Sequence, residues 1–423
     1  ECLEYCNILA KKYGLFEKVI FQTEVLSNMW VEEKKEWLVK TNKQDAISAQ
    51  FVVHSNGPLN RPKLPGINGI NDFEGHTFHT SRWDYEYTGG SHSGELSNLK
   101  DKRIGVIGTG ATAIQCIPHL GSSAKELYVF QRTPSAVDMR NNRPTDINWL
   151  QNQESGWQTK RRRNYESIIN GLPVEEDLVD DGWTEAFKDL FAFMQDHDLL
   201  KSGLEGIGKA MEIADLKKME KIRNLASNLL EDEETAESLK PYYRWLCKRP
   251  CFNDDYLNTF NLPSVHLVDT DGKGINKITS NGVVANEIEY ELDCIIFATG
   301  FEVGTDYSRR AGYGIYGRDG LDIEEKFSMV KGYESLFGLH AKEFPNAFFF
   351  GIGQTGFSST YTYALDEQAI HLAYVLTQAI EKGAKTIEPT QESIDEWVQT
   401  IIEKARVSKE FQENCTPGYY NLE

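Results

Sequence analysis

Short apolar runs that end at a glycine recur along this chain, and each reads as a buried strand running into a turn. The clearest is Ile104-Gly-Val-Ile107, broken at once by Gly108-Thr-Gly110. Apolar positions then continue at helical spacing over residues 111–120, where Pro118 is expected to limit the helix, and a second run over 127–130 closes in Gln131-Arg132-Thr133. Strand, tight turn, helix, strand is the order of a dinucleotide-binding half, so the fold around this stretch is expected to be α/β and Rossmann-like. Runs of the same kind occupy residues 49–54 before Asn56-Gly57, 265–268 before Asp271-Gly272, 292–297 before Thr299-Gly300, and 348–350 before Gly351 and Gly353. Residues 19–21 and 37–39 suggest small antiparallel strands, and Ile288-Glu-Tyr290 another strand.

Helical spacing covers residues 1–13, closed by Gly14, and returns in the charged, glycine-poor stretch between about 140 and 240. There residues 186–200 and 209–239 read as amphipathic helices, with Met211, Ile213, Leu216, Met219, Ile222 and Leu225 as apolar positions. No second phosphate-binding turn occurs in this stretch, which therefore reads as a helical insertion in the nucleotide domain. Its basic run Lys160-Arg-Arg-Arg163 lies between Glu154 and Glu166 and reads as a solvated helix face. Two more helices are expected at 360–380, with Ala364, Ile370, Ala373 and Ala379, and at 391–405, with Ile394, Trp397, Ile401 and Ile402. The chain ends in Pro417-Gly-Tyr-Tyr-Asn-Leu-Glu423 without a closing element.

The glycine turn carries the first candidate chemistry. Gly108 supplies the tight turn, Gly110 lets the backbone approach a pyrophosphate, and Ala113 lets the helix lie against the strand. Thr109, Ala111 and Thr112 complete the loop, whose amides and helix start favour an anion. At the end of the second strand an NAD site wants a carboxylate; Arg132 and Thr133 offer a cation and a hydroxyl, which suit the 2′-phosphate of NADP(H). A second cationic segment, Lys248-Arg249-Pro250, is set among aromatic residues.

Bulk properties narrow the partners. The 423 residues suffice for two or three domains, and 45 Lys plus Arg against 64 Asp plus Glu give a formal charge of -19. That field opposes nucleic acid or an anionic membrane as main partner, while a small anionic cofactor senses only its own pocket. No apolar run has the length to cross a bilayer, and the N-terminus reads without a secretory leader. Seven cysteines, none in Cys-x-x-Cys and none at metal-site spacing with histidine, read as reduced and mostly buried thiols, so no metal and a cytoplasmic setting are expected.

The stretch Phe73-x-Gly75-x-x-x-His79-x-x-x-Trp83-Asp84 resembles, position for position, the fingerprint of the type I Baeyer-Villiger monooxygenases, a branch of the flavin-containing monooxygenase superfamily. These enzymes insert one oxygen atom of O2 beside a ketone carbonyl. Gly108-Thr-Gly-Ala-Thr-Ala113, Val129-Phe-Gln-Arg-Thr-Pro134, Lys248-Arg-Pro250, Val265-His-Leu-Val-Asp269 and Ala298-Thr-Gly-Phe301 follow in the family's order, so the resemblance covers nearly the whole chain. It implies a flavoprotein with two dinucleotide-binding domains, three-layered, with FAD and NADP(H) as cofactors and a small-molecule ketone and O2 as substrates. Residues 1–88 would be part of an FAD domain and linker, 89–262 an NADP domain with the helical insertion, and 263–423 the return of the FAD domain. Arg249 would be the catalytic cation, stabilising a C4a-peroxyflavin anion and its adduct with the ketone. Lys248, Arg132 and Thr133 would hold the 2′-phosphate. The segments 51–61 and 298–301, with Thr299 and Gly300, and 353–361, with Gln354, would touch flavin. His79 and Trp83 would act at a hinge rather than as acid or base.

Two departures from the family stand out. No flavin-type Gly-x-Gly-x-x-Gly turn precedes residue 57, and the chain stops where the family continues. The expectation is a chain cut at both ends, with an incomplete FAD domain. Beside a Baeyer-Villiger enzyme, two other readings remain: a related flavin monooxygenase acting on amine nitrogen or sulfur, and an inactive NADP(H)-binding fragment.

Overall fold

The computed structural model describes residues 2–196, 203–330, 332–351, 353–355, 358–404 and 413–416. The expected helix end over 197–200, the C-terminal 417–423 and Gly356-Phe357 of the expected flavin segment lie outside the described residues. Two compact units form: residues 1–60 with 305–406, and 61–304 with 407–423.

The second unit is built on a five-stranded, wholly parallel sheet in the order Val265–Asp269, Glu126–Gln131, Arg103–Ile107, Cys294–Phe297, His76–His79. Strands covered on both faces by helices and loops need apolar residues at nearly every position. Ile104, Val106, Leu127, Val129, Cys294 and Ile296 face one buried cluster, and Ile107, Phe130, Ile295 and Phe297 another. The helix Ala111–Gly121 follows the first glycine turn and buries Ala113, Ile114, Ile117 and Leu120. It passes through Pro118 instead of stopping there. Proline leaves the Ile114 carbonyl without its helical donor, and the Asn253 side chain donates to that carbonyl at 3.4 Å.

The expected domain limits near 88 and 262 are corrected by this sheet. His76–His79, Val265–Asp269 and Cys294–Phe297 are strands of the nucleotide unit, so its limits fall at 60/61 and 304/305. The insertion forms helices Ile147–Gln151, Trp157–Ile169, Gly182–Asp196, Gly203–Leu229 and Glu233–Ser238. The stretch expected as one helix to residue 239 breaks after Leu229, and Asp232 caps the next helix by accepting from the Thr235 amide.

In the first unit the strands Gly314–Tyr316, Val25–Val31, Glu36–Thr41 and Ala46–Ala49 make one sheet, its first pair parallel and the rest antiparallel. Trp37 is fully buried there, and its indole N–H donates to the Pro345 carbonyl at 2.8 Å. The strand expected at 19–21 is absent: Val19, Ile20 and Phe21 are exposed, and Val25–Val31 pairs with Glu36–Thr41 in their place. The run expected at 49–54 divides into Ala46–Ala49 and Val52–His54, the latter pairing in parallel with Ala347–Phe349. Helices Cys2–Lys12, Tyr361–Glu381 and Gln391–Lys404 lie close to their expected limits. In Tyr361–Glu381 the buried positions are Gln368, Leu372 and Ala379, while Ile370 is exposed.

The thiol expectation needs one correction. Cys6, Cys116, Cys251 and Cys294 are free, the last three with pKa values pushed up to about 12, about 11 and about 12 by burial. Cys247 and Cys415 form a disulfide across 168 residues, because the described segment 413–416 runs beside the turn that holds Cys247.

Candidate functional site

The nucleotide turn follows from strand geometry. Gly108 sits at φ +109, and a Cβ there would meet the Ala298 carbonyl oxygen at 2.6 Å, so both conformation and crowding require glycine. Gly110 precedes the helix without a side-chain cap, and a Cβ on it would meet nothing within 4 Å. The amides of Ala111 and Thr112, in the first turn of this helix, have no acceptor within it and lie at its positive end. Thr109 is buried and belongs to the scaffold: its hydroxyl donates to the Thr133 carbonyl at 3.0 Å, and its carbonyl accepts from Ser135 at 2.6 Å. Ser135 escaped the sequence reading, since only the fold brings it back to the turn.

Arg132 ends the strand Glu126–Gln131, and Lys248 lies 116 residues further on. They approach because Val137–Asp138 pairs in parallel with Cys251–Phe252, each strand following closely after one of the two cations. Burial and then the charge of Arg132 lower the Lys248 pKa to about 8. The Lys248 ammonium lies 5.2 Å from the centre of the Tyr243 ring, whose hydroxyl accepts from the Ala136 amide at 2.9 Å. Among the described residues no carboxylate pairs with Arg132, Lys248 or Arg249. Arg249 itself is exposed, ahead of buried Pro250. Like charges brought together without a counter-ion repel, so this arrangement is suited to a polyanion.

The fingerprint residues gather on and around the edge strand His76–His79 of the same sheet. A Cβ on Gly75 would lie 2.4 Å from the Phe73 ring and 2.8 Å from the Asp293 carbonyl, which explains the glycine. Phe73 packs on the cluster around Phe130 and Ile295, while Trp83 packs edge-on to Phe78 at 5.3 Å. Asp84 caps the short helix Tyr85–Thr88, accepting from the Tyr87 amide, and pairs with His76 at 2.9 Å. The Trp83 indole donates to Thr88 at 3.1 Å. His79 bonds Ser81 through Nδ1 at 2.8 Å; its Nε2 is buried without a well-formed bond. Burial lowers the pKa of His79, opposed by the Gly300 carbonyl. His76 and Thr88 were missed in the sequence, although His76 lies within the fingerprint run itself.

The expected flavin contacts divide between the units. In the nucleotide unit Thr299 donates to the Lys63 carbonyl at 2.5 Å, and Gly300 turns at φ +77 with open space on its Cβ side. In the first unit the parallel strands Val52–His54 and Ala347–Phe349 lead to Gly57 and Gly351, where a Cβ would also meet nothing within 4 Å. Backbone that opens freely at the ends of two adjacent parallel strands fits a dinucleotide. The Gln354 side chain serves its own unit: it accepts from the Ser335 amide and hydroxyl, both at 2.7 Å, and donates to the Tyr333 carbonyl.

Comparison with known proteins agrees with this layout. A family model described as flavin-binding monooxygenase-like matches residues 1–149. Neopentalenolactone D synthase of Streptomyces avermitilis is 45% identical over 425 residues, covering 100% of this chain and 71% of that protein. A Baeyer-Villiger monooxygenase of Stachybotrys chlorohalonatus is 47% identical, covering 100% of this chain and 67% of that one. Among solved structures, a polycyclic ketone monooxygenase from the fungus Thermothelomyces thermophila superposes with a TM-score of 0.89 at 35% identity, covering 99% of this chain and 70% of that one. An oxidised steroid monooxygenase bound to NADP superposes with a TM-score of 0.76 at 26% identity, over 96% and 76% of the two chains.

Proposed function

This chain belongs to the Baeyer-Villiger monooxygenases of the flavin-dependent monooxygenase superfamily, and from that premise we propose which of its residues carry the reaction. The enzyme oxidises ketones to esters or lactones with FAD and NADPH. FAD, when bound and reduced by NADPH, would activate O2, one atom of which enters the product while the other leaves as water. Arg132 and Lys248 hold the 2′-phosphate of NADPH, and the free amides after Gly110 receive its pyrophosphate. The observation that carries this reading is the pair of mutually repelling cations, without carboxylate partners among the described residues, at the end of the nucleotide strand.

Arg249 is the catalytic cation. A guanidinium held beside the reacting atoms stabilises the negative charge that develops on the ketone oxygen as the new C–O bond forms, and a fixed fork does so without reorienting. Each unit by itself offers backbone suited to FAD, at Gly57 and Gly351 in the first and at the Thr299-Gly300 turn in the second. His79, Trp83 and Asp84 shape the edge strand and the chain leaving it. The proposed substrate class is a cyclic ketone, giving a lactone, by analogy with the polycyclic ketone and steroid monooxygenases. The test is to supply the FAD-loaded protein with NADPH, a fused-ring ketone and isotopically labelled O2. A lactone carrying one labelled atom is expected; recovery of unlabelled ketone with NADPH consumed would refute the substrate class.

A further inference from the structure

The helical insertion contains none of the nucleotide-turn residues, yet its longest helix, Gly203–Leu229, grips the segment bearing Lys248 and Arg249. Asp215 Oδ1 accepts from the Trp245 amide at 2.8 Å. Lys218 donates to Asp138 at 2.6 Å, with only 10% and 7% of the two side chains exposed, and its ammonium lies 5.7 Å from the Trp245 ring. Glu212 accepts from Arg244 at 2.8 Å, and Arg223 donates to the Pro241 carbonyl at 3.1 Å. Positions 212, 215, 218/219 and 222/223 recur at helical spacing, so they share one face. Met219 and Ile222 fill the space between them, against Ala136 and Trp245.

The geometry pins the cationic segment at both ends. Upstream, the short turn Trp245–Cys247 receives no cap from the side chain of Arg244, the residue before it, and Asp215 binds its first amide instead. Downstream, Cys251–Phe252 pairs with the strand that contains Asp138, which Lys218 holds. Lys248, Arg249 and Pro250 lie between these two anchor points.

We propose that Asp215 and Lys218 are positioning residues for Lys248 and Arg249, the insertion helix acting as the brace that sets these cations beside the end of the strand Glu126–Gln131. The inference rests on the reading that Lys248 binds the 2′-phosphate. A cation on a flexible stem binds an anion well only if its backbone is fixed. The Cys247–Cys415 disulfide also tethers the end of this turn, to the segment 413–416, so loss of the Trp245 anchor would let the turn, and Lys248 after it, shift within the reach of that tie.

The test uses calorimetric binding of adenosine 2′,5′-bisphosphate, with 5′-AMP as the control that lacks the extra phosphate. Asp215→Ala is expected to weaken the bisphosphate roughly tenfold, in line with the sensitivity of oriented contacts to small displacements, and to leave 5′-AMP unchanged. Asp215→Asn keeps an acceptor for the Trp245 amide and should bind nearly as the parent does. Lys218→Met should behave like Asp215→Ala, with Lys218→Arg restoring most of the affinity. In a Lys248→Ala background, Asp215→Ala should cost nothing further, because the group it positions is gone. The same loss in both backgrounds, a loss shared by 5′-AMP, or no loss at all would overturn the proposal. If Lys248→Ala by itself left bisphosphate binding unchanged, the reading beneath the proposal would fail as well. Circular dichroism melting accompanies each variant, and if Asp215→Ala does not fold, Asp215→Glu is judged by the same outcomes.

Discussion

Two regions of one parallel sheet, the edge strand His76–His79 and the end of the inner strand Glu126–Gln131, treat their polar groups in opposite ways. At the fingerprint edge nearly every group has a partner: His76 with Asp84 at 2.9 Å, the Tyr87 amide with Asp84 at 3.0 Å, the Trp83 indole with Thr88 at 3.1 Å, and the Thr88 hydroxyl with the Asp84 carbonyl at 2.9 Å. At the nucleotide end Arg132, Lys248 and Arg249 have no carboxylate partner among the described residues, although the chain has 64 acidic residues to draw on. A satisfied network stabilises the fold by itself, whereas the half-buried Lys248 ammonium, beside the charge of Arg132, carries a standing cost that a bound anion relieves. The edge strand should therefore respond to mutation in stability and the nucleotide end in binding and chemistry.

The sharpest break in that comparison is at Arg249. Arg249→Ala should leave the fold and FAD content near those of the parent, and NADPH oxidation should continue with hydrogen peroxide as product. Ester or lactone formation should fall by roughly a hundredfold to a thousandfold, the usual effect of deleting one preorganised electrostatic group. Arg249→Lys should recover little, since a flexible ammonium does not reproduce the planar fork. Product quantified against NADPH consumed checks this, and coupled turnover near the parent rate in the alanine variant would remove Arg249 from the reaction.

Arg132 should show the next largest effect. Arg132→Ala removes a charge-assisted bond worth about 1.5–3 kcal/mol, made only to the 2′-phosphate, so NADPH should weaken about tenfold to a hundredfold while NADH binding is kept. Equal weakening of both nucleotides would show that Arg132 supports the turn as a whole.

What the sequence revealed divides along similar lines. Most of the parallel sheet was legible, since Arg103–Ile107, Val265–Asp269 and Cys294–Phe297 are largely apolar runs leading to a glycine turn and Glu126–Gln131 is the apolar run after the first helix. His76–His79, polar at three of four positions, gave no such signal. Gly108 makes the tight turn its position required. The strand Val25–Val31 was not legible, because buried Asn28 interrupts its apolar face. The convergence of Arg132 and Lys248 depends on the register of Val137 with Cys251, a long-range pairing that no local pattern displays. Arg132 was singled out from its place at the strand end and Lys248 from the family resemblance, and the lowered pKa of Lys248 beside Arg132 supports the proposed shared role. Asp215 left no signal at all, since its partner is a backbone amide, and backbone amides look alike in every sequence. Pro118 misled the helix limit because its compensation, the Asn253 side chain, is distant in sequence.

At the fingerprint edge Thr88→Val should cost about 1–2 kcal/mol of stability, by removing the acceptor of the Trp83 indole from a fully buried position. Its melting temperature should fall while the preference for NADPH over NADH stays unchanged. A changed nucleotide preference with unchanged melting would reverse the division between the two regions.

The smallest effect is a pH dependence, and Lys248 sets its sign. Burial and the charge of Arg132 lower its pKa to about 8 in the free protein, below the ordinary lysine value of 10.5. In this window the unfolded chain binds the proton that the folded chain has released, so this group's contribution to stability rises with pH between about 8 and 10.5. Nucleotide affinity moves the other way, because only the ammonium attracts the 2′-phosphate. Raising the pH from about 7 to about 8 should weaken NADP+ by about twofold, with steeper loss above. Binding brings a dianion beside the amine, raises its pKa and therefore takes up a proton in the same range. Calorimetry at about pH 8.5 in buffers of different ionisation enthalpy measures that uptake directly. Lys248→Met should abolish both the proton uptake and this pH dependence, whereas Thr88→Val should retain both. Proton uptake that survived in the methionine variant would assign the titration to another group and remove the electrostatic distinction between the two regions at this position.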